Sequence, residues 1–326
     1  MLILTRREIA GLLTFAEYVD AVEQGFRAYA EGRALAPALM HVCAPDGEFH
    51  VKAGGLLEPE PHFALKANGG FFRNRERFGL PNIQGMILLA SAANGRPLAV
   101  MDSMEITIQR TGAATAIAAR FLARPESSVC TICGCGNQGR IQLRAICHAR
   151  PIRRVFAFAA SVAEAEAFAA SMTDELGIEV IAGRALHETL AESDVCITCT
   201  PSRRPLFAAS DVRPGTFLAA IGADSPDKQE LDERLLPMAS VFGDLLDQCA
   251  EVGEFHHGIA HGLMRREDFR GELCALITGR TPGRTRADEI TIYDSTGTAL
   301  QDAAAAVAVY RRAREKGLGV EIELAD

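Results

Sequence analysis

The sequence predicts an α/β protein of two domains, one of which is built on a doubly wound parallel sheet. Strands and helices alternate from about residue 128 to residue 294, a pattern typical of a parallel sheet covered on both faces. An apolar strand beginning at Ser128 leads into Gly-x-Gly-x-x-Gly and then into a helix-compatible segment. Residues 1–123 instead combine one helix with strand-like segments, which favours an α+β domain with antiparallel pairing.

The domain boundaries follow from this change of pattern, and 326 residues fit about two domains. We assign residues 1–123 to the first domain and 124–294 to the second. Residues 295–326 contain a predicted helix over 300–316 that is expected to return to the first domain.

The first domain begins with a helix over Phe15–Glu31. Its predicted strands are 49–52, 63–67, 84–90 and 97–101. Asn94 and Gly95 precede the last strand and predict a two-residue hairpin turn, because both residue types tolerate positive φ. An alanine-rich helix over 111–121 follows, with Arg110 at its start.

The second domain contains the Gly-x-Gly-x-x-Gly turn, formed by Gly134, Gly136 and Gly139. Such a turn needs its first glycine for the tight bend, its second for close approach to a pyrophosphate and its third for helix packing. The context therefore predicts a Rossmann-type dinucleotide site. Helices are predicted over 140–150 and 162–175, and further strands over 153–158, 178–181, 194–199 and 216–221. Thr200, Gly222 and Asp224 follow two of these strands and are expected to face the cofactor.

Charge and composition exclude several classes of partner. The net charge is -8 and the pI is near 5.6, whereas nucleic acids and anionic membranes favour a basic surface. No apolar run approaches the roughly 20 residues that span a bilayer. The N-terminus lacks the residue order of a signal peptide, so we expect a cytoplasmic protein.

Cysteine and histidine patterns do not favour a metal site. The chain has nine cysteines, and those in strand-like runs are expected to be reduced and buried. Cys133-x-Cys135 lies within the glycine turn, and Cys196-x-x-Cys199 lies in a strand, so neither is interpreted as a zinc half-site. Glu254, His256, His257 and His261 resemble a helical zinc motif, but the glycines around them argue against one. Arg73, Arg75 and Arg77 are interpreted as a solvated loop.

Several sequence blocks together resemble the ornithine cyclodeaminase and mu-crystallin family over nearly the whole chain. They are Lys66-Ala-Asn with Gly79-Leu-Pro, Ala99-Val-Met-Asp, Ile106-Thr-Ile-Gln-Arg-Thr-Gly-Ala-Ala, the glycine turn, Ile221-Gly-Ala-Asp and Asp288-Glu-Ile-Thr-Ile-Tyr-Asp-Ser-Thr-Gly. The resemblance implies a first domain that binds substrate and forms a homodimer, a Rossmann domain, and hydride transfer at the α-carbon of an amino acid through an imine.

Three side chains are the main candidates for chemistry on such a substrate. Lys66 and Arg110 are suited to binding its carboxylate, because arginine offers a bidentate fork and lysine a compact charge. Lys66 is also a catalytic candidate. Asp224 can exchange the proton on the substrate nitrogen as a general acid and base; the alternative is that it caps a helix beginning near Pro226.

One departure from the family concerns the substrate carboxylate. The family commonly places an arginine just after the proline of an early strand, whereas Pro37 is followed by Ala38. Lys52, on the next predicted strand, can replace this cation, since neighbouring strands lie within about 5 Å. A solvated Lys52 is the alternative.

The residues expected to contact the cofactor are Arg110, Thr111, Gly134, Gly136, Asn137, Gln138, Gly139, Ser161, Thr200, Pro201 and Gly222. The segment after the second Rossmann strand, Phe158-Ala-Ala-Ser161, has no acid for the ribose hydroxyls of NAD. Ser161 can donate to the extra phosphate of NADP, and Arg140 is a second candidate for this contact. NADP(H) is therefore slightly favoured over NAD(H).

We thus expect NAD(P)H-dependent reduction of a small α-imino acid, or the reverse oxidation. Two alternatives stay open. A cyclodeaminase would remove and return hydride within one cycle and release ammonia. A mu-crystallin-like protein would bind NADPH and a small ligand without catalysis.

Overall fold

The computed structural model describes residues 1–324, and the chain separates into two compact units. Met1–Ala114 and the segment from Thr298 onward form one unit, and Thr115–Gly297 forms the other. The division falls within the helix Ser103–Leu122, nine residues before the boundary that the sequence suggests. No helix among residues 1–324 is long and apolar enough to cross a membrane.

The first unit is a seven-stranded sheet with helices. Its strands are β1 Leu2–Leu4, β2 Ala34–Ala44, β3 Gly47–Leu56, β4 His62–Gly70, β5 Ile83–Ser91, β6 Pro97–Asp102 and β15 Val320–Glu321. Its helices are α1 Arg6–Ile9, α2 Phe15–Ala30, α3 Asn74–Phe78, the first part of α4 Ser103–Leu122, and α11 Ala299–Lys316. The order β15-β1-β6-β5-β4-β3-β2 is antiparallel apart from the β1–β6 pair, as predicted for this part of the chain.

The two faces of this sheet differ in their covering. Helix α11 packs against α2 and crosses β3 and β4. An added Cβ on Gly25 would lie only 2.8 Å from the Ala304 Cβ, so the two helices approach closely at that glycine. Along β4, the residues of one face are buried and those of the other are only half buried. The face under α11 is called the covered face below, and the opposite one the open face.

The connection between β5 and β6 differs from the predicted hairpin. It spans residues 92–96, and the Gly95 amide donates to the Ser91 carbonyl at 2.8 Å. Only Gly95 has a positive φ, of 77°, whereas Asn94 accepts a hydrogen bond from the Arg96 amide through its side chain. The prediction of a two-residue turn was wrong because this Asn side chain stabilises a longer loop.

The second unit is a parallel eight-stranded sheet, which confirms the predicted fold class. Its strands are β7 Val129–Cys133, β8 Arg154–Phe158, β9 Glu179–Ala182, β10 Val195–Thr198, β11 Phe217–Ala220, β12 Ser240–Gly243, β13 Gly271–Glu272 and β14 Thr291–Asp294. Its further helices are α5 Asn137–Ala149, α6 Val162–Leu176, α7 Leu186–Glu192, α8 Leu246–Val252, α9 Glu254–Ala260 and α10 Leu273–Ile277. The order β13-β12-β14-β11-β10-β7-β8-β9 places the switch in chain direction between β7 and β10. In such sheets this switch marks the ligand crevice.

Candidate active site

The three glycines of the turn between β7 and α5 differ in the space around them. Gly134 has φ 111°, and a Cβ there would lie 2.7 Å from the Cys199 carbonyl oxygen. A Cβ on Gly139 would lie 2.0 Å from the Gly134 carbonyl oxygen. Gly136 differs from both, because no atom lies within 4 Å of an added Cβ. The protein's own packing thus requires glycine at 134 and 139, whereas Gly136 leaves space over the turn.

The start of α5 has the properties of an anion site. Gly136 is its N-cap residue and offers no side-chain oxygen to the first amides of the helix, at Asn137 and Gln138. A helix N-terminus carries a partial positive charge and outward-pointing amides. The open space at Gly136 and this uncapped end fit the pyrophosphate of a dinucleotide.

Glu230, which sequence reasoning missed, joins two loops at the same edge of the sheet. One carboxylate oxygen accepts from the Thr200 amide at 2.6 Å and from the Thr200 hydroxyl at 2.7 Å, and the other accepts from the Gly222 amide at 2.8 Å. Burial raises the pKa of Glu230 to about 7, although these donors oppose the shift. Glu230 therefore fixes the ends of β10 and β11, where Thr200, Pro201 and Gly222 are predicted to meet the cofactor.

The suspected zinc motif has a different role in the structure. The Glu254 carboxylate accepts from the Glu230 amide at 2.7 Å and the Leu231 amide at 3.1 Å, and His257 Nε2 lies 2.8 Å from the Lys228 carbonyl. His261 instead lies 3.4 Å from Glu233. These side chains hold the segment that follows β11, and they do not converge on one point.

Asp224 lies in that segment and forms an ion pair. Lys228 Nζ is 2.6 Å from Asp224 Oδ1, and the Asp224 side chain is 37% exposed. Residues 225–227 form a turn, so the alternative of a helix beginning near Pro226 was wrong. Asp224 keeps a carboxylate that is partly open to solvent and close to a cation.

A buried charge cluster occupies the covered face of the first unit. Lys66 Nζ lies 2.8 Å from one oxygen of Asp302 and 2.7 Å from the other, and Arg110 Nε lies 3.0 Å from Asp302. Arg110 also donates to the Gln301 side chain. Arg110 lies well inside α4, which begins at Ser103. The predicted helix start at Arg110 was wrong because α4 follows β6 directly, so the residues before Arg110 are already helical.

Lys52 belongs to the same cluster. It is the cross-strand partner of Lys66 on β3, it is 5% exposed, and its charge contributes to lowering the pKa of Lys66. The alternative of a solvated Lys52 was therefore wrong. Burial, followed by the Arg110 charge, lowers the pKa of Lys66 to about 7, with Asp302 opposing the shift. Burial alone would raise the pKa of Asp302, but Arg110 and Lys66 hold it below its usual value.

Asp302 and Gln301 were also missed by sequence reasoning. They are two polar residues in the otherwise apolar start of α11, and both are buried. Their position before the run of alanines was the available signal, because a buried acid in an apolar helix face needs a cationic partner.

Two predicted cofactor residues, and the Arg140 considered for the NADP phosphate, have partners within the protein. The Thr111 hydroxyl donates to the Thr107 carbonyl of its own helix at 2.6 Å. The Ser161 hydroxyl accepts from the Glu164 amide at 3.3 Å and caps α6. Arg140 donates to the Ser171 hydroxyl at 2.7 Å and lies over the Phe168 ring, so an Arg140 contact to a phosphate would require a change of rotamer.

Comparisons with known proteins agree over the length of the chain. The model of the ornithine cyclodeaminase/mu-crystallin family matches residues 1–317. Iminosuccinate reductase of Paracoccus denitrificans is 35% identical, with 99% of this chain and 100% of the relative covered.

Two solved structures share this fold. An archaeal alanine dehydrogenase dimer with bound NAD superimposes with a TM-score of 0.94 at 38% identity, covering 100% of this chain and 99% of that one. Thermococcus litoralis Δ1-pyrroline-2-carboxylate reductase, in complex with NADH and L-proline, gives a TM-score of 0.95 at 30% identity, covering 99% and 100%.

Proposed function

Because the chain belongs to the ornithine cyclodeaminase/mu-crystallin family, we propose that it reduces a small α-imino acid to an α-amino acid with NAD(P)H, or catalyses the reverse oxidation. The observation that carries this proposal is the buried cluster around Lys66. Its charges suit a carboxylate, and the glycine turn of the second unit suits a dinucleotide.

Charge balance supports a carboxylate ligand at the cluster. Lys52, Lys66 and Arg110 are basic and Asp302 is acidic, and each is at most 5% exposed. Lys66 and Arg110 share the single carboxylate of Asp302. With these three groups ionised, positive charge is in excess, and an unbalanced buried charge is costly unless a counter-ion joins it. A substrate carboxylate supplies that counter-ion and gains charge-assisted hydrogen bonds.

Lys66 and Asp224 divide the proton chemistry between them. Lys66, with its pKa near 7, changes charge within the range where a catalytic acid is effective. Asp224 exchanges the proton on the substrate nitrogen, and Lys228 holds its carboxylate in place. In the reductive direction the imine carbon gains a hydride and the nitrogen gains a proton, so one NAD(P)H and one proton are consumed for each amino acid formed.

The cofactor is held by the glycine turn and the loops that Glu230 fixes. When bound, its dihydronicotinamide supplies the hydride. The residues proposed to hold it are those named from the sequence, with Gly136, Asn137 and Gln138 at the pyrophosphate and Thr200, Pro201 and Gly222 near the nicotinamide end.

We keep NADP(H) as the proposed preference, since the end of β8 offers no acid to the ribose. The Ser161 hydroxyl, which accepts from the Glu164 amide, can still donate to a phosphate. The Glu164 carboxylate in the first turn of α6 acts against a phosphate there. The dissociation constants of NADPH and NADH decide between these effects, and a strong NADH preference would overturn the assignment.

The open face of the first sheet is the proposed homodimer surface. Met40, Val42, Phe49 and Met86 lie on it and are 43–55% exposed. A contiguous apolar patch of this kind marks an interaction site, and the archaeal alanine dehydrogenase relative is a dimer.

A substrate panel tests the proposed function. Purified protein is incubated with NADH and NADPH against cyclic and linear imino acids, pyruvate with ammonia or methylamine, and imino dicarboxylates. Cofactor oxidation with one of these supports the proposal. If no substrate of the panel causes cofactor oxidation and NADPH binds tightly, a non-catalytic binding protein is favoured instead.

A further inference from the structure

Three potential metal ligands lie close together near the turn of the β2–β3 hairpin. His41 lies on β2, and Glu48 and His50 lie on β3. His41 and His50 are directly opposite each other in the strand register. All three side chains extend from the covered face of the sheet, because they alternate in phase with Lys52.

The geometry brings two imidazoles to the two oxygens of one carboxylate. His41 Nε2 lies 2.9 Å from Glu48 Oε2, and His50 Nε2 lies 3.1 Å from Glu48 Oε1. The three ligand atoms all lie within 4.8 Å of one another. Ligands bound tetrahedrally to zinc at 2.0–2.1 Å are about 3.3 Å apart, so small rotations of these side chains suffice to surround an ion.

We propose that His41, Glu48 and His50 bind a divalent transition-metal ion of the zinc type. Two imidazoles and one carboxylate suit zinc, cobalt, nickel or copper, whereas magnesium and calcium prefer ligand sets made of oxygen. Each neutral imidazole coordinates through Nε2 and keeps its proton on Nδ1. With neutral histidines the three ligands carry one negative charge, which attracts the cation.

Exposure of the three side chains is compatible with entry of an ion from solvent. The His41 side chain is 32% exposed, whereas those of Glu48 and His50 are 18% and 12% exposed. Glu48 and His50 are thus mostly buried, and His41 lies on the solvent side of the site. Three protein ligands leave a fourth position for water or another donor.

The ion would link an edge strand to its neighbour. β2 is the edge strand of the sheet, so within residues 1–324 it pairs with a strand on one side only. An ion that binds the folded hairpin and not the unfolded chain stabilises the protein by an amount that grows with the logarithm of the ratio of its concentration to its dissociation constant. Metal binding is therefore expected to raise the melting temperature, independently of substrate or cofactor.

The test uses untagged protein stripped with a chelator and titrated with Zn²⁺ by calorimetry, and with Co²⁺ by absorption spectroscopy. We expect one ion per chain and a cobalt d–d spectrum of low coordination number. His41→Gln, at the most exposed ligand, should fold normally and weaken Zn²⁺ binding by about tenfold or more, and Glu48→Gln should do the same.

Two variants serve as controls. His187→Gln removes an exposed histidine 3.9 Å from Glu188, and His261→Gln removes one from the motif around Glu254. Both should bind Zn²⁺ like the wild type. Absence of stoichiometric binding, or equal affinity in the wild type and His41→Gln, would overturn the proposal and leave Glu48 as an acid paired with two histidines.

Discussion

Lys66 and Asp302 form a buried ion pair although 236 positions separate them in the chain. The pair joins β4 to α11, and Arg110 adds a second cation on the same carboxylate. Asp302 thus holds Lys66 and Arg110, two of the groups proposed to bind substrate, in position. We expect the pair to serve the fold of the first unit as well as the proposed substrate binding.

Removal of the Asp302 carboxylate should destabilise the protein strongly. Asp302→Ala leaves Lys66 and Arg110 buried without their partner, which typically costs about 3–5 kcal/mol in the free energy of unfolding. Urea denaturation at neutral pH measures this change. Glu321→Ala, which breaks the exposed pair with Arg314, is the control and should cost less than about 1 kcal/mol. Equal losses would contradict the structural role of Asp302.

The charge state of Lys66 should govern the pH dependence of reduction. Because the pKa of Lys66 is about 7, the ammonium form is lost as the pH rises above 7, and kcat/KM should fall with it. Lys66→Arg stays cationic at all these pH values, so this variant, although slower, should lack that descending limb. Any titration of the imine itself affects both proteins equally. If kcat/KM of the wild type and of Lys66→Arg fell in the same way above pH 7, Lys66 would have no part in the acid–base chemistry.

The glycine turn offers a matched pair of substitutions. Gly136→Ala adds a methyl group into open space, so the protein should fold normally and bind NAD(P)H at least about tenfold more weakly, as the backbone can no longer approach the pyrophosphate. Gly139→Ala collides with the Gly134 carbonyl and should lower the melting temperature. Calorimetric titration and thermal unfolding separate the two effects. Unchanged cofactor affinity in Gly136→Ala would contradict the proposed pyrophosphate position.

Asp224 should matter for turnover and not for cofactor binding. Asp224→Asn removes the carboxylate that exchanges the proton but keeps the side-chain shape, so kcat should fall by about 10²-fold or more while the dissociation constant of NAD(P)H stays nearly constant. Asp227→Asn is the control, because Asp227 lies in the same segment as Asp224 but pairs with Arg203. Turnover of Asp224→Asn close to that of the wild type would exclude Asp224 from the mechanism.

Local sequence patterns predicted the fold well where neighbouring residues determine it. The strand before Gly134, the turn itself and α5 are set by apolar periodicity and glycine sterics, and each lies within a few residues of its predicted place. The start of α4 was missed because the helix follows β6 without a loop, although Asp102 offered a capping signal and its side chain accepts from the Met104 amide at 3.0 Å.

The candidate site was less predictable, because its partners are remote in sequence. Lys66 and Arg110 were identified from the residues and the family pattern. Asp302 could not be paired with them, since nothing local shows which strand α11 crosses. Glu230 was missed for a similar reason: its hydrogen-bond donors, Thr200 and Gly222, come together only when β10 and β11 pair.

The stoichiometry of cofactor and product tests the central proposal most directly. Purified protein is supplied with NAD(P)H and the imino acid that the panel identifies, and cofactor oxidation and amino acid formation are measured in the same sample. We predict one NAD(P)H oxidised for each α-amino acid formed. Product formation without net cofactor consumption would contradict this account and identify a cyclodeaminase.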